Sequence, residues 1–151
     1  MKIIALTFLI FISCTELFSQ NRIKFHNVDR TKTIFLDTSE VCNPNLIFTF
    51  SEQNPVYLGG FGALQTELNN KITVDKSLKG YVAVVFTINC NSKVFGVQII
   101  DGLTTEFDKN LIDVLTSNQN WTSGKQAGKN IDTYIVLKLE IKNGKIKILN
   151  K

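Results

Sequence analysis

Residues 80–89 read GYVAVVFTIN, and residues 93–101 read KVFGVQIID. The first stretch is apolar at both parities from Val82 to Phe86. A strand with two apolar faces is covered on both sides, so this one is expected at the centre of a sheet. Between the two stretches, Asn89-Cys90-Asn91-Ser92 supplies turn formers. The pair therefore reads as an antiparallel hairpin.

Helices are expected on either side of that hairpin. Upstream, PVYLGGFGAL gives a glycine-loosened entry at Gly59 and Gly60. Phe61, Leu64, Leu68 and Ile72 then follow at helical spacing, which makes one apolar face. Downstream, Thr105-Glu106-Phe107-Asp108 resembles a capping box with Asp in place of Glu or Gln. Phe107, Leu111, Val114 and Leu115 share a face of the helix it would start. Residues 131–141 then alternate, with Ile135, Leu137, Leu139 and Ile141 to one side and Lys138, Glu140 and Lys142 to the other. Asn143-Gly144 is a two-residue turn signal, and Ile146 and Ile148 begin a return strand. The order helix, strand, strand, helix, strand implies an α+β two-layer domain over 55–151, with two helices on a small antiparallel sheet. Residues 21–54 read as a β-rich N-terminal extension, with short extended stretches at 23–28, 33–36 and 46–50.

The first twenty residues stand apart. One Lys precedes an apolar run from Ile3 to Ile12, with small and polar residues after it. The run is shorter than the roughly 20 residues of a membrane-spanning helix. It has the pattern of a secretory signal peptide over 1–20. A second reading is an imperfect lipoprotein box at Phe11-Ile12-Ser13-Cys14, with Cys14 as a lipidated terminus. Either places the rest of the chain outside the cytoplasm, in the periplasm of a Gram-negative envelope or anchored to a membrane there. Two cysteines then remain, Cys42 and Cys90. In an oxidising compartment they read as a disulfide, which loop-closure arithmetic values at about 3–4 kcal/mol. Two buried free thiols are the alternative.

The chain of 151 residues has net charge +4 and 20% charged residues. Its lysines are dispersed, and only Lys142, Lys145 and Lys147 approach a cluster, so nucleic acid is not the expected partner. His26 is the only histidine, without a Ser-His or Cys-His arrangement near it. One histidine and two paired cysteines make a poor metal-ligand set. Leu58-Gly59-Gly60-Phe61-Gly62 lacks the Lys-Ser/Thr of a phosphate-binding loop. Neither catalytic residues, nor a metal, nor a cofactor is expected.

The last signal is NWTSGKQAGKNI, 120–131. Together with PVYLGG, the hairpin strands and Asp101-Gly102-Leu103, it resembles the C-terminal domain of the TonB energy-transducer family. That family typically closes its second helix with Trp and a Gly-Lys-Gln-x-Gly-Lys loop. Trp121, Gly124, Lys125, Gln126, Gly128 and Lys129 match it here, and the likeness spans 55 to about 142. The Tyr-Pro pair expected after the first helix is missing from KITVDKSLKG, as are a membrane-spanning N-terminal helix and a Pro-rich arm.

The resemblance implies a TonB C-terminal-like fold and a protein-binding role linked to transport across the outer membrane. In such domains an exposed edge of the final strand pairs with an extended peptide of a TonB-dependent transporter. The candidate edge is 133–141, through Thr133, Ile135, Leu137, Leu139 and Ile141. Lys125 and Lys129 are candidates for a basic rim beside it. The same edge would also serve a homodimer through the last strand. If 145–149 fold back and cover it, the alternative is a structural envelope protein or lipoprotein. Such a protein would contact peptidoglycan or periplasmic proteins without transducing energy. Trp121 is expected as a lid over the sheet with its indole N–H bonded near the loop. Gly124 and Gly128 are expected to give that loop its turns.

Overall fold

The computed structural model describes residues 40–43 and 46–149. The signal segment 1–20 with Cys14, His26, the stretches 23–28 and 33–36, and the turn at Pro44 lie outside them. In chain order the elements begin with β1 (Val56–Tyr57), α1 (Gly60–Lys71), β2 (Gly80–Ile88), β3 (Val94–Asp101) and α2 (Thr105–Thr116). They continue with β4 (Trp121–Thr122), β5 (Gly124–Gln126), β6 (Lys129–Ile131), β7 (Thr133–Lys142) and β8 (Lys145–Ile148). The result is the α+β class expected, with two helices and small antiparallel sheets.

The main sheet has the order β3-β2-β7-β8. β2 pairs with β7 without interruption from Gly80↔Ile141 to Ile88↔Thr133. Its doubly apolar sequence therefore does mark an interior strand. On its other side β3 carries two extra residues, one at Ile100 between the pairs Ala83↔Asp101 and Val84↔Ile99, and one between Val85↔Gln98 and Thr87↔Phe95. Gly96 lies in the second of these at φ +61, a conformation in which an L side chain is strained.

Both helices cover one face. Leu64 and Leu68 of α1, and Phe107, Leu111 and Leu115 of α2, pack against Val82, Val84, Phe86 and Ile88 of β2. Leu137, Leu139 and Ile141 of β7 and Ile146 and Ile148 of β8 complete this layer. Leu111 and Leu139 are fully buried, so truncating either to Ala should cost about 2–5 kcal/mol. The opposite face is mixed. Val85, Thr87, Phe95 and Ile100 are buried toward β3, whereas Tyr81, Lys138, Lys142, Lys145 and Lys147 are exposed toward β8.

Three expectations are corrected. The cap of α2 is Thr104 rather than Thr105: its hydroxyl accepts from Phe107 N at 3.2 Å. Asp108 instead closes the preceding loop by accepting from Leu103 N at 3.1 Å. The stretch 46–50 is not a strand. Only Phe48 bridges β7, in parallel, through Phe48 N to Asp132 O (2.9 Å) and Tyr134 N to Phe48 O (2.8 Å). Bends at Thr49 and Phe50 follow, and Ser51 Oγ, bonded to Gln53 O and Asn54 Oδ1, turns the chain. Finally, the strand expected from 131 is broken at Asp132, with Ile131 ending β6 and Thr133 starting β7.

Candidate partner-binding site

The edge assigned to strand addition is not open along its length. β8 folds back through the Asn143-Gly144 turn (φ +53 and +73) and pairs with β7 from Leu139↔Ile148 to Lys142↔Lys145. Leu149 N extends the pairing onto Lys138 O at 2.8 Å. At the other end, Phe48 pairs beside Thr133. The side chains named for this edge point into the core: Leu137, Leu139 and Ile141 are fully buried, Thr133 nearly so, and Ile135 is half-buried.

The outer edge of β8 is also occupied, by side chains of α1. Asn69 accepts from Ile146 N through Oδ1 (2.9 Å) and donates through Nδ2 to Ile146 O (2.7 Å). Gln65 Oε1 accepts from Ile148 N at 2.8 Å. These amides reproduce the bonds that a further strand would make, which is one way proteins blunt an edge. A groove of about 560 Å³ runs here, lined by Gln65, Asn69, Asn70, Lys142, Lys145 and Lys147 among others.

The tryptophan loop is built as follows. Trp121 is buried and packs edge-to-face on Tyr57 (centroids 5.3 Å apart) and Phe86 (5.5 Å). Its Nε1 has no hydrogen-bond partner, contrary to expectation. The indole is held by aromatic packing, and the polar work falls to neighbours. Asn118 and Asn120 reach the Tyr57 hydroxyl at 3.3 and 3.4 Å, and that hydroxyl donates to Glu67. Lys71, bonded to Glu67 at 2.7 Å, and the Tyr57 hydroxyl together hold the Glu67 carboxyl below its usual range.

β5 and β6 form a small hairpin that turns at Ala127 and Gly128 (φ +49 and +73). Glu52 clamps this turn, accepting from Ala127 N and from Gln126 Nε2. Gly124 serves close approach rather than turning, since a Cβ there would lie 2.4 Å from Thr133 Oγ1. Gly59 and Gly60 do carry positive φ, at +83 and +74, and let the chain enter α1. Lys125 and Lys129 are exposed on the β5–β6 hairpin.

At the same end of the sheet, Cys42 and Cys90 form the disulfide. Asp132, buried, gathers the backbone around it. Its Oδ2 accepts from Cys42 N (2.8 Å) and Asn43 N (3.0 Å), and its Oδ1 accepts from Cys90 N (2.9 Å). Both sulfurs and a carboxylate oxygen lie within 4.8 Å of one another. Joined sulfurs are not thiolates, however, and the carboxylate is spent on N–H groups, so the donors do not form a metal site as they stand.

Three features had no counterpart in the sequence reading: the edge-capping amides Gln65 and Asn69, the three-donor role of Asp132, and a set of exposed apolar side chains. In that set Phe50 is 73% exposed, Leu58 60% and Val56 55%. They flank the tryptophan loop, because Ser51 and Pro55 meet over Gly124 while Leu58 N bonds Asn120 O. The two-residue spacing of Val56 and Leu58 around buried Tyr57 was the available signal. No known family, curated protein or solved structure matches the chain.

Proposed function

We propose that this is an exported, non-catalytic protein-binding domain of the cell envelope, related to the TonB C-terminal domain but not transducing energy. Its partner docks at the tryptophan-loop end rather than by adding a strand to β7. The observation that carries this reading is the double closure of the last edge, by β8 and then by the amides of Gln65 and Asn69. Phe50, Val56 and Leu58 supply exposed apolar area, and Lys125 and Lys129 supply a basic rim. An apolar centre with a polar rim is the usual anatomy of a protein interface. The complementary partner is an envelope protein presenting apolar and acidic side chains.

The test is cross-linked capture from solubilised envelope with the purified chain, compared with Phe50→Ser/Leu58→Ser and Lys125→Glu/Lys129→Glu. Loss of the same partner from both variants is the expected result. Equal recovery by all three chains overturns the loop surface. Recovery of outer-membrane transporters only after Gln65→Ala/Asn69→Ala would return the function to strand addition.

A further inference from the structure

The helix-free face of the sheet changes character along its width, buried and apolar toward β3 and exposed and lysine-rich toward β8. Register places Tyr81 beside Glu140 and Glu140 beside Lys147, in one row across three strands. The next row is Lys142 beside Lys145, and the row on the other side is Asp101, Ala83, Lys138 and Leu149. Paired residues of an antiparallel ladder share a face, so all these side chains belong to one side. Lys138, Lys142, Lys145 and Lys147 are exposed, against two acids on the same face: half-buried Glu140 and, at the β3 margin, exposed Asp101. Lys76 adds to the same corner, packing by the Gly144 turn. Within this field stand two large apolar side chains facing water, Tyr81 at 63% and Leu149 at 39% exposure.

The composition discriminates between kinds of anionic partner. Planar, bidentate recognition of a discrete phosphate or carboxylate favours the fork of arginine, whereas lysine acts as a point charge. Here the cations are lysines on flexible stems, and the described residues contain no arginine. The four strand lysines are spread over a flat sheet, in three rows. Such an array suits a diffuse sheet of negative charge better than a point ligand. Lysines surrounding an exposed Tyr and Leu match the interfacial region of a bilayer, where cations meet headgroups and amphipathic rings sit at their level.

From this we infer that the β7–β8 end of the helix-free face docks on an anionic lipid surface. Lys142, Lys145 and Lys147 provide the attraction, and Tyr81 and Leu149 enter the headgroup layer. Docking here needs no lipid on Cys14. It leaves the tryptophan loop, at the opposite end of β7, free for a protein partner, so it does not depend on the protein-binding reading.

The experiment is co-sedimentation of the purified chain with phosphatidylcholine vesicles, with or without phosphatidylglycerol. Binding should require the anionic lipid and be lost in high salt. Each lysine near such a surface contributes roughly fivefold, so losing three positive charges lowers partitioning on the order of a hundredfold, and the reversal Lys142→Glu/Lys145→Glu/Lys147→Glu should lower it by at least that much. The charge-matched variant Lys93→Glu/Lys125→Glu/Lys129→Glu, altered at the other end of β7, should retain most of the binding. Tyr81→Ser should lower it severalfold and leave the thermal transition in place. Equal losses in the two triple variants would reduce the effect to net charge and overturn the proposal. So would binding to neutral vesicles alone, no binding at all, or full displacement by soluble polyphosphate with Tyr81→Ser unchanged.

Discussion

Asp132 offers the sharpest test of how the fold is secured. Its carboxylate receives three backbone N–H groups from two separate segments, those of Cys42, Asn43 and Cys90. Hydrogen bonds to a charged acceptor contribute about 1.5–3 kcal/mol each. The three donors are only partly buried and can regain water, so the sum must be discounted. Asp132→Ala should therefore cost about 3–4 kcal/mol. Asp132→Asn retains one acceptor oxygen but turns an amide donor toward an N–H, and should cost about 2 kcal/mol. The effect is coupled to the disulfide, since two of the three donors sit in the segment that Cys42 tethers. In a Cys42→Ser/Cys90→Ser background that segment can leave, and Asp132→Ala should then cost only about 1–2 kcal/mol. Urea unfolding of the four chains gives the coupling directly. A cost below about 1 kcal/mol with the disulfide intact, or the same cost in both backgrounds, would refute the account.

Other perturbations separate packing from polar contacts. Trp121→Phe removes an indole N–H that bonds nothing, so it should cost far less than Trp121→Ala, for which thermal unfolding should show about 3–5 kcal/mol. Gly124→Ala should destabilise by about 1–3 kcal/mol through the Thr133 contact. Gly62→Ala, in α1 with no atom within 4 Å of the new methyl, should instead stabilise by about 0.5–1 kcal/mol. Glu67 governs a pH response. Its folded pKa is depressed, by Lys71 first and Tyr57 next, so its contribution is present above its unfolded value and is lost as pH falls through the folded value. Unfolding midpoints of Glu67→Gln should accordingly fall less steeply on acidification than those of the native chain.

How much of this was legible depended on the range of the forces involved. The centre of the sheet could be read from 80–89 because two-faced burial is written in consecutive residues. The helix faces could be read from Leu64, Leu68, Phe107 and Leu111 because their spacing is local. The Asn143-Gly144 return was likewise local. The cap of α2 was misplaced by one residue because Thr104 and Thr105 are equivalent in sequence, and only the backbone decides which one turns. The second closure, of β8 by α1, was not legible, since Gln65 and Asn69 read as ordinary polar positions of an amphipathic helix. Their partners lie 83 and 77 residues away. Asp132 was hidden in the same way, reading as a polar residue at the start of a strand. The indole N–H was assigned a bond by rule, but aromatic packing on Tyr57 and Phe86 took precedence.

The claim that the last edge is closed can be tested at single amides. Hydrogen exchange, followed by NMR on the purified chain, should find Ile146, Ile148 and Leu149 protected. Their N–H groups are held by Asn69, Gln65 and Lys138 O respectively. Asn69→Ala should release Ile146 while leaving Leu149 slow. Rapid exchange at all three positions in the native chain would contradict the closure, reopen β7 to an added strand, and remove the reason for placing the partner at the tryptophan loop.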